Sequence, residues 1–351
     1  MITEVVNKRV SSRIRYVTPV RQSLVTGVTA ELYQQIKEDF MPVPLLMLHS
    51  VAPEILAGVW SILRESLLAG ETDRTVKEVV AAAVSKNNAC DYCLEAHTLL
   101  LRSTAGHALA DAILRGDYES IDDPNLRSTF KWALTTGNAT TIEKRPFDIT
   151  NVPQVVGTIA TFQYINRMVK LFLGDSLLPV PSALKGLTRR VYTATEGKHA
   201  IKRLAPGRSL RFVPQVPLSV DLRWASPNSE VASAFAGFAS IVEDAGRRTL
   251  SQHDRSIVNN YVSAWNGESM GHDYTWVDYA IKGLENPSRA VVRLALEIAL
   301  SMEVQPQAVD EFRLHYPADS QLIEATAWAS FTAARRTAVW VQNRLEQEND
   351  K

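Results

Sequence analysis

Residues 75–101 read TVKEVVAAAVSKNNACDYCLEAHTLLL, and the periodicity of this stretch decides the fold class. Val76, Val79, Val80, Ala83 and Val84 recur at the spacing of a helix with one buried face. Asn87 and Asn88 interrupt that pattern, because Asn tolerates the left-handed conformation that ends helices. Cys93, Leu94, Ala96, Leu99, Leu100 and Leu101 then begin a second apolar helical run, with both cysteines at or near its first turn. The same rhythm returns in Ile55, Leu56, Val59, Trp60, Leu63 and Leu67, and again in Ala290, Val291, Leu294, Ala295 and Ile298. Runs that alternate at period two are hard to find, so the expected fold is all-α.

The chain has 351 residues, 46% hydrophobic and 22% charged, with 38 Lys and Arg against 38 Asp and Glu. That is the composition of a globular protein, and the length exceeds one core, since single cores stop growing near about 250–300 residues. A net charge of zero argues against a protein built to coat nucleic acid or an anionic membrane, so no nucleic-acid partner is expected. Residues 1–20 mix Lys8, Arg9, Arg13 and Arg15 into short apolar pieces and carry no secretory h-region. No apolar run approaches the roughly 20 residues of a membrane span. A cytoplasmic protein without a membrane segment is expected.

Cys90 and Cys93 are the only cysteines, and they fall in one Cys-Asp-Tyr-Cys motif. In a reducing compartment such a pair is a redox couple or half of a metal site, and no second pair exists here. A helix N-terminus stabilises a thiolate through free N–H groups and the helix dipole. His97 follows Cys93 by one helical turn on the same face, and Glu78 lies on the preceding helix, where an antiparallel hairpin returns its carboxylate toward the cysteines. Carboxylate, imidazole and two thiols make a proton relay.

Each of these residues also has a plainer reading. The cysteines fit as small buried hydrophobes. Thr75-Val76-Lys77-Glu78 matches a capping box, in which Glu78 only closes a helix N-terminus. Cys90, Cys93, His97 and Glu78 are together a possible zinc ligand set. Tyr92 either lines a substrate pocket or anchors its helix by packing. His49, His107, His199, His253, His272 and His315 show no ligand spacing, and no phosphate-binding glycine loop, H-E-x-x-H or G-x-S-x-G occurs.

The string Glu78, eleven residues, then Cys90-Asp91-Tyr92-Cys93-Leu94-Glu95-Ala96-His97 resembles the signature of the AhpD-like branch of the carboxymuconolactone decarboxylase superfamily. Residues 84–88 and 162–167 resemble that family's flanking segments, and the likeness covers roughly residues 40–175. It implies an all-helical homo-oligomer that reduces organic hydroperoxides, with Cys93 as peroxidatic thiol, Cys90 as resolving thiol, His97 as proton shuttle and Glu78 as the base of the relay. It further implies a dithiol reductant, lipoyl- or thioredoxin-like, and no cofactor in the chain. Some members carry a histidine between the cysteines, where this chain has Tyr92. By thioredoxin-like logic the N-terminal cysteine would be the nucleophile, so at the level of sequence both assignments of Cys90 and Cys93 stand. A non-catalytic redox-responsive scaffold is the alternative from another functional class.

Residues 1–40 read as an N-terminal arm, 41–175 as the unit with the site, 176–221 as a basic linker broken by prolines, 222–345 as a second unit and 346–351 as a tail. The second unit rests on an internal alignment at an offset of 178 residues, with Phe331–Arg336 falling under Phe162–Arg167 after a deletion of about nine. It sets Ser256 at the Glu78 position, Glu268 at Cys90, Gly271 at Cys93 and Thr275 at His97, so the chemistry is absent from that copy. In residues 181–220, Lys185, Arg189, Arg190, Lys198, Lys202, Arg203, Arg208 and Arg211 face the single acid Glu196. A linker lying across the chain's own acidic surface accounts for this excess.

Overall fold

The computed structural model describes residues 14–174, 176–177 and 202–349. It is built from helices, as the periodicity predicts, and the one β pairing among the described residues is an isolated bridge between Ala69 and Leu204. In chain order the main helices of the first half are α1 (Gly27–Asp39), α2 (Pro53–Leu63), α3 (Arg74–Asn87), α4 (Asp91–Thr104), α5 (His107–Arg115), α6 (Pro124–Thr135) and α7 (Val152–Phe172). Those of the second half are α8 (Ser229–Thr249), α9 (Gln252–Ala264), α10 (Thr275–Ala280), α11 (Asn286–Leu296), α12 (Pro306–His315) and α13 (Asp319–Asn349). Two π turns, Arg64–Leu68 after α2 and Glu297–Ser301 after α11, extend their helices in a way the apolar stripes did not disclose. Among the described residues no helix is long and apolar enough to cross a membrane.

Helix α7 is the axis of the molecule. It is buried almost along its whole length because α3 covers one side and α13 the other, while α2 packs on α8 beside them. Tyr164, Phe238 and Phe331 meet where these helices cross, at ring separations of 5.2 and 4.6 Å, and the Tyr164 hydroxyl is 2.8 Å from His49 Nε2. Gly58 permits the α2–α8 approach, since a Cβ there would stand 2.3 Å from the Phe238 ring. The stripes on α2 and α11 that the sequence marks as core are buried.

Two local expectations are corrected. Helix α3 is capped by Asp73, whose carboxylate accepts the Thr75 N–H at 2.7 Å, so Glu78 is not the far end of a capping box at Thr75. The left-handed residue between α3 and α4 is Ala89, at φ 49°, and Asn88 keeps a negative φ.

The described part of the basic stretch lies against the first half. Arg64 is buried with its guanidinium on Asp39 at 2.8 Å, on Glu65 at 2.8 Å and on the Ala205 carbonyl at 2.9 Å. Glu65 also accepts the Gly207 N–H at 2.8 Å and the Ser209 hydroxyl at 2.6 Å. Arg208 pairs with Glu38 and Asp39, and Arg211 with Glu31, all on α1. Lys185, Arg189, Arg190 and Lys198 lie outside the described residues. A buried ion cluster that loses one member leaves uncompensated charge, which costs about 3–5 kcal/mol. Arg64→Met is therefore expected to lower unfolding stability by about that amount in urea denaturation, whereas Arg211→Met, at an exposed pair, should change it by about 0.5 kcal/mol or less.

Candidate active site

The loop between α3 and α4 folds back on itself at Ala89, and Cys90 becomes the N-cap of α4, its own N–H bonded to the Ser85 carbonyl at 2.9 Å. This antiparallel hairpin places Glu78 of α3 beside His97 of α4, with Nδ1 and Oε2 2.6 Å apart. The other carboxylate oxygen of Glu78 accepts from Arg74, one turn earlier on α3, at 2.7 Å. An imidazole that donates Nδ1–H to a carboxylate keeps Nε2 free to accept a proton. The Phe162 ring packs edge-on against His97, with centroids 4.3 Å apart.

All four relay candidates are buried: Glu78 is fully shielded, and Cys90, Cys93 and His97 are 2 to 4% exposed. Cys93, His97 and Tyr92 line one cavity of about 50 Å³, and Cys90 does not. The rest of its wall is apolar and includes Phe40, Leu63, Leu67, Phe162, Ile165 and Leu177, which come from four separate segments. Leu177 is held there by its N–H, which donates to Glu95 Oε2 at 3.2 Å.

Burial works to raise the Glu78 carboxyl, but Arg74 and His97 outweigh it and hold the group below its ordinary 4.5. The Cys93 thiol goes the other way. Burial, and then the hydrogen bond and negative charge offered by Cys90, push it well above the usual thiol range, and Lys170 offsets part of this. The helix dipole that the sequence suggests as a stabiliser of the thiolate is thus outweighed by desolvation. Among the described residues no group of three His, Cys, Asp or Glu is arranged to hold a metal ion. In the zinc ligand set that the sequence allows, Glu78 is engaged by Arg74 and by the Nδ1 of His97.

Ser256, Glu268, Gly271 and Thr275, the positions aligned with the relay, are all exposed and form no counterpart of it. Sequence reasoning missed Arg74, although its i,i+4 spacing to Glu78 was a usable signal. It also missed the cavity walls from Phe40 and Leu177, which no local pattern marks, and read Leu63 and Leu67 only as core.

No family model matches the chain. A curated protein of Mycobacterium tuberculosis, named alkyl hydroperoxide reductase, is 33% identical to it over 331 residues, which is 93% of this chain and 95% of that one. The chain belongs to that alkyl hydroperoxide reductase family. Because the match runs over both halves, the second half is part of the shared design rather than an appendage.

The depressed carboxyl of Glu78 makes stability pH-dependent with a definite sign. Its contribution is complete above the ordinary value of 4.5 and is lost as pH falls through the lower folded value. Glu78→Gln should cost about 2–4 kcal/mol at neutral pH. In urea titrations the gap from the parent should narrow as pH is taken below 4.5.

Proposed function

We propose that the chain is an AhpD-like, thiol-dependent peroxidase that reduces organic hydroperoxides through the Cys90–Cys93 dithiol with a Glu78/His97 relay. The observation that carries this reading is that Cys93 and His97 open into one apolar cavity while His97 is backed by a buried carboxylate. The family relationship supports the activity, since the M. tuberculosis relative is named for it. Cys93 is the better candidate for the attacking thiol because it lines the cavity and Cys90 does not.

In this mechanism the thiol stays protonated at rest, and its proton passes to Nε2 of His97 as a hydroperoxide arrives. The Cys93 sulfur attacks the terminal peroxide oxygen, the S–O bond forms as O–O breaks, and the alcohol leaves with the proton returned by His97. Cys90 then attacks the sulfenic acid, a disulfide forms and water leaves. An external dithiol, lipoyl- or thioredoxin-like, restores the pair by exchange. The reading includes assembly as a homo-oligomer and a reducing, cytoplasmic location, in which the dithiol is kept ready. It also takes residues 222–345 as a second, inactive copy of the unit. The packing of α7 on α13 and of α2 on α8 supports that pairing.

One observation favours a non-catalytic, redox-responsive scaffold: the thiol is buried and pushed upward, as a stable structural cysteine would be. Turnover of cumene hydroperoxide with a dithiol donor separates the two. Expected are activity in the parent chain, none in Cys93→Ser, and a loss of about 100-fold or more in His97→Ala. Cys90→Ser should lose turnover but accumulate a sulfenic acid that dimedone traps. No turnover in the parent chain abandons the enzyme reading for the scaffold.

A further inference from the structure

Cys93 is 3% exposed, so what touches its sulfur is decided by the walls of the cavity it shares with His97. The larger opening near the cysteine loop, a polar cleft of about 400 Å³ between the halves, is lined by Asn88, Ala89, Trp265 and Glu303 and by neither cysteine. Most of the cavity wall is carried by helices: Leu63 by α2, Ala96 and Leu100 by α4, Phe162 and Ile165 by α7. Leu177 is borne by none of them. Beyond α7 the chain turns at Gly174, where φ is 78°, and Leu177 then takes its place in the wall, buried.

Two hydrogen bonds secure that place, and both end on one atom. The Leu177 N–H donates to Glu95 Oε2 at 3.2 Å, and the Ser176 hydroxyl donates to the same oxygen at 3.3 Å. A covered backbone N–H needs an acceptor, and a carboxylate is a stronger one than a neutral oxygen. Glu95 stands on α4 two residues after Cys93 and two before His97, a spacing that turns it away from the face they share, and it does not line the cavity. One helix thus supplies the sulfur, the imidazole and the carboxylate that seats a wall residue from another segment.

We propose that Glu95 is a positioning residue of the cysteine cavity: by accepting from Ser176 and Leu177 it holds the Leu177 side chain in the wall beside Cys93 and His97, and so sets how bulky a molecule reaches the Cys93 sulfur. That a hydroperoxide is the molecule selected rests on the peroxidase reading, but the effect on access is readable without any peroxide. Glu95 itself touches neither sulfur nor guest and acts through Leu177.

In a Cys90→Ser background Cys93 is the only thiol of the chain. Its modification is timed with two uncharged reagents of the same chemistry, methyl and benzyl methanethiosulfonate, and the benzyl-to-methyl rate ratio is the readout. The ratio cancels any change in the ionised fraction of the thiol, which speeds or slows both reagents alike. Leu177→Ala and Glu95→Met, the latter keeping the stem and losing the acceptor, are expected to raise the ratio about fivefold to tenfold. Glu95→Gln, which retains an acceptor oxygen, should stay within about twofold of the parent. Glu95→Met added to Leu177→Ala should change the ratio by less than about twofold, because the two act through one contact. A ratio unmoved in Leu177→Ala or in Glu95→Met overturns the proposal, and so does a full further rise in the double variant. If the unsubstituted chain consumes no hydroperoxide while the ratio moves as expected, the functional reading fails and this inference stands. Turnover with an unmoved ratio gives the reverse result.

Discussion

A carboxylate sealed from water must be paired, and Glu78 is the residue on which the rest of the site is arranged. Its two oxygens are divided between Arg74 on its own helix and His97 on the next. That division fixes the register of the α3–α4 hairpin, because a slip of either helix would leave charge buried without a partner. It also fixes the imidazole, whose Nδ1 is committed to the carboxylate and whose ring is wedged by Phe162. The imidazole is thereby oriented before any ligand arrives.

The cavity sets two demands against each other. Apolar walls strengthen every electrostatic contact inside and shield the Cys93 sulfur from water, yet they also disfavour its anionic form. Burial has the upper hand for Cys93 at rest. At the loop before Cys90, Lys170 meets both the Asn88 carbonyl and Glu303, so the half of the chain without cysteines touches the half that has them.

What could be read in advance was what is local. The stripe from Val76 to Val84, the interruption at Asn87 and Asn88, and the Cys93–His97 spacing are set by helical geometry, and each stands in the fold where its periodicity puts it. The helix break was legible, but the residue that turns left-handed was not, because Ala89 carries no propensity signal for it and is held there by the Cys90 N–H bond to Ser85. The capping reading of Thr75 failed to a neighbour, Asp73, that offers a stronger acceptor. Phe40, Leu177 and Glu303 reach the site from distant segments, and nothing in a single sequence ties such positions together. Both π turns, Arg64–Leu68 and Glu297–Ser301, were equally hidden.

The space beside Cys93, about 50 Å³, is small beside the cleft of about 400 Å³ between the halves, and its lining is almost wholly apolar. Leu177 enters this wall from outside any helix, tied by the hydrogen bond of its N–H to Glu95, whereas Leu63 and Ile165 are borne on helices. The chamber is thus walled on most sides by rigid helices and on one by a residue that a single backbone contact tethers.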